Sequence, residues 1–245
     1  MGNFYTNITL KGPDQYHVLE FLRENSREAF VSKDLNEFVV VFDAKSESQD
    51  DKVFRQAALS LSSKFCCPAL AVLNHDDDVL CYWLFESGKE TDSYNSNPGY
   101  FTGKPLPPSG GNIRSLIDAF GCECEPASAE EILRPPRSTS QDTLEKMQEE
   151  MQKYMNEIEP ELRKNPTLFQ DPKNPITIRI NEFSQKVGQI MASGNVAKNF
   201  VFAVMKHEAL LNTLGFPDCA AGMGYNSLQK GEFPSPLSKL DFQHT

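Results

Sequence analysis

Apolar positions in residues 1–95 recur with two different periods, and the switches between them predict the secondary-structure elements. Residues 5–10 alternate, with Tyr5, Asn7 and Thr9 set against Thr6, Ile8 and Leu10, which is the two-residue period of a strand. Gly12-Pro13-Asp14 then opens a helix carrying Val18, Leu19, Phe21 and Leu22. Two short strands follow at 29–32 and 38–42, around the polar Asp34-Leu35-Asn36. Asp50-Asp51 suit the positive end of a second helix, whose apolar stripe is Val53, Phe54, Ala57, Ala58, Leu61 and Phe65. Pro68 ends that helix. Apolar runs at 69–73 and 79–85, a turn at Ser87-Gly88 and an edge strand at 90–93 complete the order β-α-β-β-α-β-β-β. Such an order predicts an α+β fold: an open sandwich in which an antiparallel or mixed sheet is covered on one face by helices.

The second half changes character. Residues 95–112 are rich in Asn, Pro, Gly, Ser and aromatics, a long ordered loop or an arm, before short helices at 113–120 and 129–133. Pro135-Pro136 forbid a continuing helix and mark a boundary. From Asp142 the chain is rich in Glu, Gln, Lys and Met, with Leu144, Met147, Met151, Met155, Ile158 and Leu162 spaced three or four apart on one helical face. A second helix is expected at 176–193 and a third at 199–214, ended by Gly215 as a C-terminal cap. The expected division is an α+β sandwich at 1–136, a charged helical insertion at 137–195, and a helical C-terminal part at 196–245 packing back on the first domain. Flexible thioethers at Met147, Met151 and Met155 suit an adaptable partner face. Packing against Phe183, Val187 and Ile190 in a helical hairpin, or homodimerisation through the insertion, would use the same stripe.

Composition narrows the classes of function. A formal charge of −10 with scattered Lys and Arg argues against a nucleic-acid partner. No run of about 18 apolar residues and no basic-then-apolar leader is present, so a membrane partner is not expected and the location is expected to be cytoplasmic. The six cysteines are irregularly spaced, which suits reduced thiols; Cys122-x-Cys124 is half of a zinc pattern without its other half. No cofactor is expected, although a divalent cation has one candidate place.

That place is Asn74-His75-Asp76-Asp77-Asp78, an ionisable cluster between two apolar strands. Strand alternation would aim Asp76 and Asp78 to one side and Asp77 to the other, and paired carboxylates can ligate a hard cation if further oxygens join them. Asp43, Asp92 and Asn95 are the candidates for that help, and His75 for a general base. An exposed hairpin turn is the alternative reading. A second candidate binding segment, 94–101, offers Tyr94, Asn95 and Tyr100. Ser109-Gly110-Gly111-Asn112 reads as a helix cap. No nucleophile elbow or paired zinc histidines appear. The leading expectation is a non-catalytic binding or regulatory module, an acidic inhibitor-type protein that meets another protein. The alternative is a metal-dependent hydrolase built on His75, Asp76 and Asp78.

Four stretches carry a resemblance: the opening MGNFYT, the run CPALAVLNHDDDVL at 67–80, YNSNPGYF at 94–101 and GYNSL at 224–228. They resemble a family of bacterial proteins of uncharacterised activity, over residues 1–134 and 197–234. The resemblance implies that residues 140–195 are an insertion, and it implies no activity.

Overall fold

The computed structural model describes residues 2–104, 106–134, 174–175, 177–178 and 202–245. The chain divides into two compact units, residues 1–134 with 201–245, and residues 135–200. Of the second unit only Asn174, Pro175, Thr177 and Ile178 are described, with the Ile178 N–H donating to the Asn174 carbonyl at 3.0 Å. The methionine-lined stripe, with Met147, Met151 and Met155, and the expected helix at 142–163 lie outside the described residues, as does the one expected at 176–193 apart from Thr177 and Ile178.

The first unit is an α+β fold on one eight-stranded sheet. Its strands are β1 (Tyr5–Lys11), β2 (Ala29–Ser32), β3 (Phe38–Asp43), β4 (Pro68–His75), β5 (Val79–Glu86), β6 (Lys89–Asn95), β7 (Ser109–Gly110) and β8 (Phe242–His244), in the order β7-β6-β5-β4-β1-β3-β2-β8. Every pairing is antiparallel. Helices α1 (Gln15–Glu24) and α2 (Asp51–Phe65) cover one face. There Val18, Leu19 and Leu22 of α1 and Phe54, Ala57, Ala58 and Leu61 of α2 form one core with Ile8, Leu10, Val39, Val41, Ala69 and Ala71 of the strands. The Asp14 and Asp50 side chains accept from the first-turn amides of these helices, so the residues that signal the helix starts in the sequence do the capping.

The opposite face is also covered. Helices α3 (Ile113–Phe120), α4 (Pro126–Leu133), α5 (Ala203–Leu214) and α6 (Tyr225–Gln229) lie there with the C-terminal segment. Phe38 packs on Phe120 and Phe216, and the Tyr94 hydroxyl donates to the Leu133 carbonyl at 2.7 Å. Asn112 caps α3 by accepting from the amides of Arg114 and Ser115.

Covering both faces changes the meaning of the alternation in β1. Asn7 and Thr9 look solvent-facing in the sequence, yet both are buried. Asn7 is accommodated because its amide donates to the carbonyls of Ala220 (2.6 Å) and Met223 (3.1 Å). A buried amide is costly unless it is bonded, so this pair fixes the 220–223 loop against the sheet. The GYNSL segment is held in a related way. Glu47 accepts from the Tyr225 amide and the Asn226 side chain, both at 2.9 Å. Burial raises the Glu47 carboxyl above its ordinary range, against which these donors pull.

Candidate functional site

The acidic stretch is a hairpin turn between β4 and β5, with His75 paired to Val79. Asp76 and Asp77 both have positive φ, 53° and 59°, the left-handed region that short Asp and Asn side chains tolerate. Strand alternation therefore stops at His75 and does not order the three carboxylates. Two of them already have backbone partners. The Gly2 amide donates to Asp76 Oδ1 and the Asn3 amide to Asp77 Oδ2, each at 2.9 Å, while Asn74 Nδ2 donates to Asp77 Oδ1 at 2.9 Å. A Cβ at position 2 would stand 2.2 Å from the Asp76 carbonyl oxygen, so this contact requires glycine. The Ala203 amide donates to the Asp77 carbonyl at 2.6 Å, which ties α5 to the same turn.

The cation candidates are dispersed by the strand order. Asp43, separated from β4 by β1, is bonded to Arg27, and Asp92 accepts from the Tyr82 hydroxyl and the Asn112 amide. Among the described residues no group of three or more His, Cys, Asp or Glu side chains is arranged to hold a metal ion. Tyr94 leaves the candidate set as well: it is buried on the opposite face of the sheet, stacked on Tyr82.

His75, Asn95 and Tyr100 do come together, beside a cavity of about 770 Å³. Leu73, Val79, Cys81 and Trp83 form its apolar floor, and Gln49, Asp50, Asp51 and Lys52 at the start of α2 form its rim, with Phe101 beside them. Phe4, Tyr100 and Phe101 each set an edge against the His75 ring, with centroids 4.9, 5.7 and 5.1 Å away. Phe101 is 77% exposed, so the aromatic cluster ends in an open apolar surface. Burial and the nearby Asp78 raise the Tyr100 phenol.

Gln49 fixes the state of His75. Its Nε2 donates to the Asn74 carbonyl at 2.8 Å, which turns its Oε1 to His75 Nδ1 at 2.6 Å. A carbonyl oxygen can only accept, so Nδ1 is the donor of this bond and carries a proton. The remaining chemistry is not that of a nucleophile. Burial, reinforced by the Asp51 carboxylate, pushes the Cys81 thiol up to about 12, whereas a reactive thiolate needs positive neighbours. Gln49 and Trp83 carry no signal in the sequence. Gln49 acts through its left-handed backbone (φ 55°) between two helical turns, and Trp83 is hidden inside an unbroken apolar run.

Comparisons with protein-family models, with curated proteins and with solved structures returned no match, so the reading of the site rests on its chemistry. Among the described residues no helix is long and apolar enough to cross a membrane.

Proposed function

We propose that this chain is a non-catalytic, cytoplasmic binding module, and that the groove above Trp83 takes an apolar side chain from a basic segment of a partner protein. One observation carries the reading: an apolar floor, an exposed aromatic wall and a rim bearing Asp50 and Asp51 converge on one cavity. The floor supplies burial for an aliphatic or aromatic anchor. The carboxylates and the net charge of −10 favour a cationic partner and speed its approach. His75 is oriented by Gln49 through Nδ1, which leaves Nε2 for a polar contact with the partner.

Trp83 is the only tryptophan in the chain, so its emission reports on the groove directly. Titration with a short Arg- and Lys-rich peptide bearing one central leucine is expected to shift that emission, and the affinity is expected to fall with added salt. Phe101→Ala is expected to weaken binding roughly tenfold, about 1.4 kcal/mol, without altering the exposed site's fold. Equal binding of an acidic peptide of the same length, or an unchanged affinity in Phe101→Ala, would refute the assignment.

A further inference from the structure

Phe4, Phe101 and Phe202 are large apolar side chains left in water, and all three stand around the β4–β5 hairpin. Phe4 and Phe202 are each 52% exposed and Phe101 77%. Backbone hydrogen bonds hold the first and last of them there. The Asp77 amide donates to the Asn3 carbonyl at 3.3 Å, next to Phe4, and the Asp77 carbonyl accepts from the Ala203 amide at 2.6 Å, next to Phe202. Phe4 and Phe101 both set an edge against the His75 ring, so their centroids lie within about 10 Å of each other, less than two turns of an α-helix. Tyr100 joins the cluster 5.1 Å from Phe101. Single exposed apolar residues are ordinary, whereas several gathered around one feature mark an interaction surface.

We propose that the groove is one end of a larger docking surface whose occupant is a basic amphipathic helix of a partner protein, with Phe4, Phe101 and Phe202 as its apolar contacts and Asp76, Asp77 and Asp78 as its charge complement. The proposal rests on the groove being a partner site, and it adds the conformation of the partner segment. Continuity between the two parts is direct, because His75 and Phe101 line the groove and also belong to the aromatic cluster.

The hairpin leaves no place for an added strand. Strand addition needs a row of free N–H and C=O groups. Here β4 and β5 each have a strand on both sides, both backbone groups of Asp77 are bonded, and the Asp78 amide donates to the His75 carbonyl at 3.1 Å. The partner must therefore be met through side chains, and an α-helix arrives with its own backbone already bonded. Apolar residues at i, i+3, i+4 and i+7 cover about 10 Å along one helical face, which matches the reach from Phe4 to Phe101. Charge sets the rest of the pattern. Three consecutive carboxylates stand at the same turn, and Asp50 and Asp51 line the groove. Covering the phenylalanines beside those carboxylates is favourable when the partner carries Lys or Arg along the borders of its apolar stripe.

Two synthetic peptides of identical Leu, Lys, Arg and Ala composition, titrated into the full chain, test this through Trp83 emission and circular dichroism. In one the leucines fall at i, i+3, i+4 and i+7; in the other they are scattered around the helix, with one central leucine kept. The first is expected to bind about tenfold more tightly and to gain helicity as it binds. Phe202→Ser is expected to weaken that peptide about fivefold and to leave the scattered one unchanged. Phe202 is the N-cap of α5, where serine is a preferred residue, so the variant loses the ring without endangering the helix. Equal affinities for the two peptides, no gain in helicity, or full affinity in Phe202→Ser would overturn the proposal. The reading of the groove survives those results if Phe101→Ala still weakens the scattered peptide. Failure of both peptides to shift the emission would overturn the two readings together. A dimer of the free chain that Phe202→Ser dissolves would assign the surface to a second copy, and so would also overturn the proposal.

Discussion

Acidification from pH 6.5 to pH 3 is expected to remove up to about 5 kcal/mol of stability through one side chain, His207. The imidazole is fully buried on α5, and its Nδ1 lies 2.9 Å from the Tyr5 hydroxyl. The other ring nitrogen, Nε2, is buried with no hydrogen-bond partner among the described residues. Burial lowers the group from 6.5 to about 3. The unfolded chain therefore takes up a proton near pH 6.5, whereas the folded chain resists until about pH 3. Stability from this source is complete above 6.5 and is lost progressively down to the folded value. Tyr5 packs face-on against the ring, and the Asp77 and Glu208 carboxylates act on that phenol electrostatically. Carboxylates titrate in the same range, so the informative quantity is a difference. Urea midpoints of wild type and His207→Gln, compared between pH 7 and pH 4, should converge as the pH falls. Parallel curves would show that His207 is not the group responsible.

Asp43→Ala is expected to cost about 3–5 kcal/mol, because it strands a largely buried guanidinium. The Asp43 side chain is 1% exposed and that of Arg27 18%. Arg27 donates through Nε to Oδ1 at 2.8 Å and through Nη2 to Oδ2 at 2.6 Å, and the Ser46 amide and hydroxyl both donate to Oδ2, at 2.8 and 2.6 Å. The carboxylate is thus both an ion-pair partner and the cap of the 3-10 turn Ala44–Ser48 that delivers Gln49 to the groove. For a chain of this size the loss amounts to roughly 10 °C in melting temperature. Arg27→Met in the Asp43→Ala background should recover part of the loss, since it removes the orphaned charge. A deficit below about 1 kcal/mol in the single variant would mean that water replaces the carboxylate.

The elements were legible because their signals are local. The Asp14 and Asp50 caps, the Asn112 cap and the stripe from Phe54 to Leu61 all stand where the sequence pattern puts them. The candidate site was legible only in pieces. His75, Asn95 and Tyr100 meet in space, but Tyr94, one residue from Asn95, faces the other side of the sheet. One step along a strand reverses the face, and the sequence does not say which face is which. Asp76 and Asp78 suggested paired ligands, yet positive φ at Asp76 and Asp77 broke the alternation, and the Gly2 and Asn3 amides claimed Asp76 and Asp77.

By itself the sequence determined the periodicities, the breaks between them, the acidic charge and hence the α+β class. Those follow from residues within a turn or two of one another. Tertiary structure decided what lies opposite what: that β1 pairs with both β3 and β4, that both faces of the sheet are covered, and that Asn7, Lys206 and His207 are interior. The reason is that burial of a polar group depends on partners more than a hundred residues away, such as Ala220 for Asn7, Tyr94 for Lys206 and Tyr5 for His207. No local pattern encodes such a partner, because the hydrogen bond that makes the burial tolerable exists only after the chain has closed.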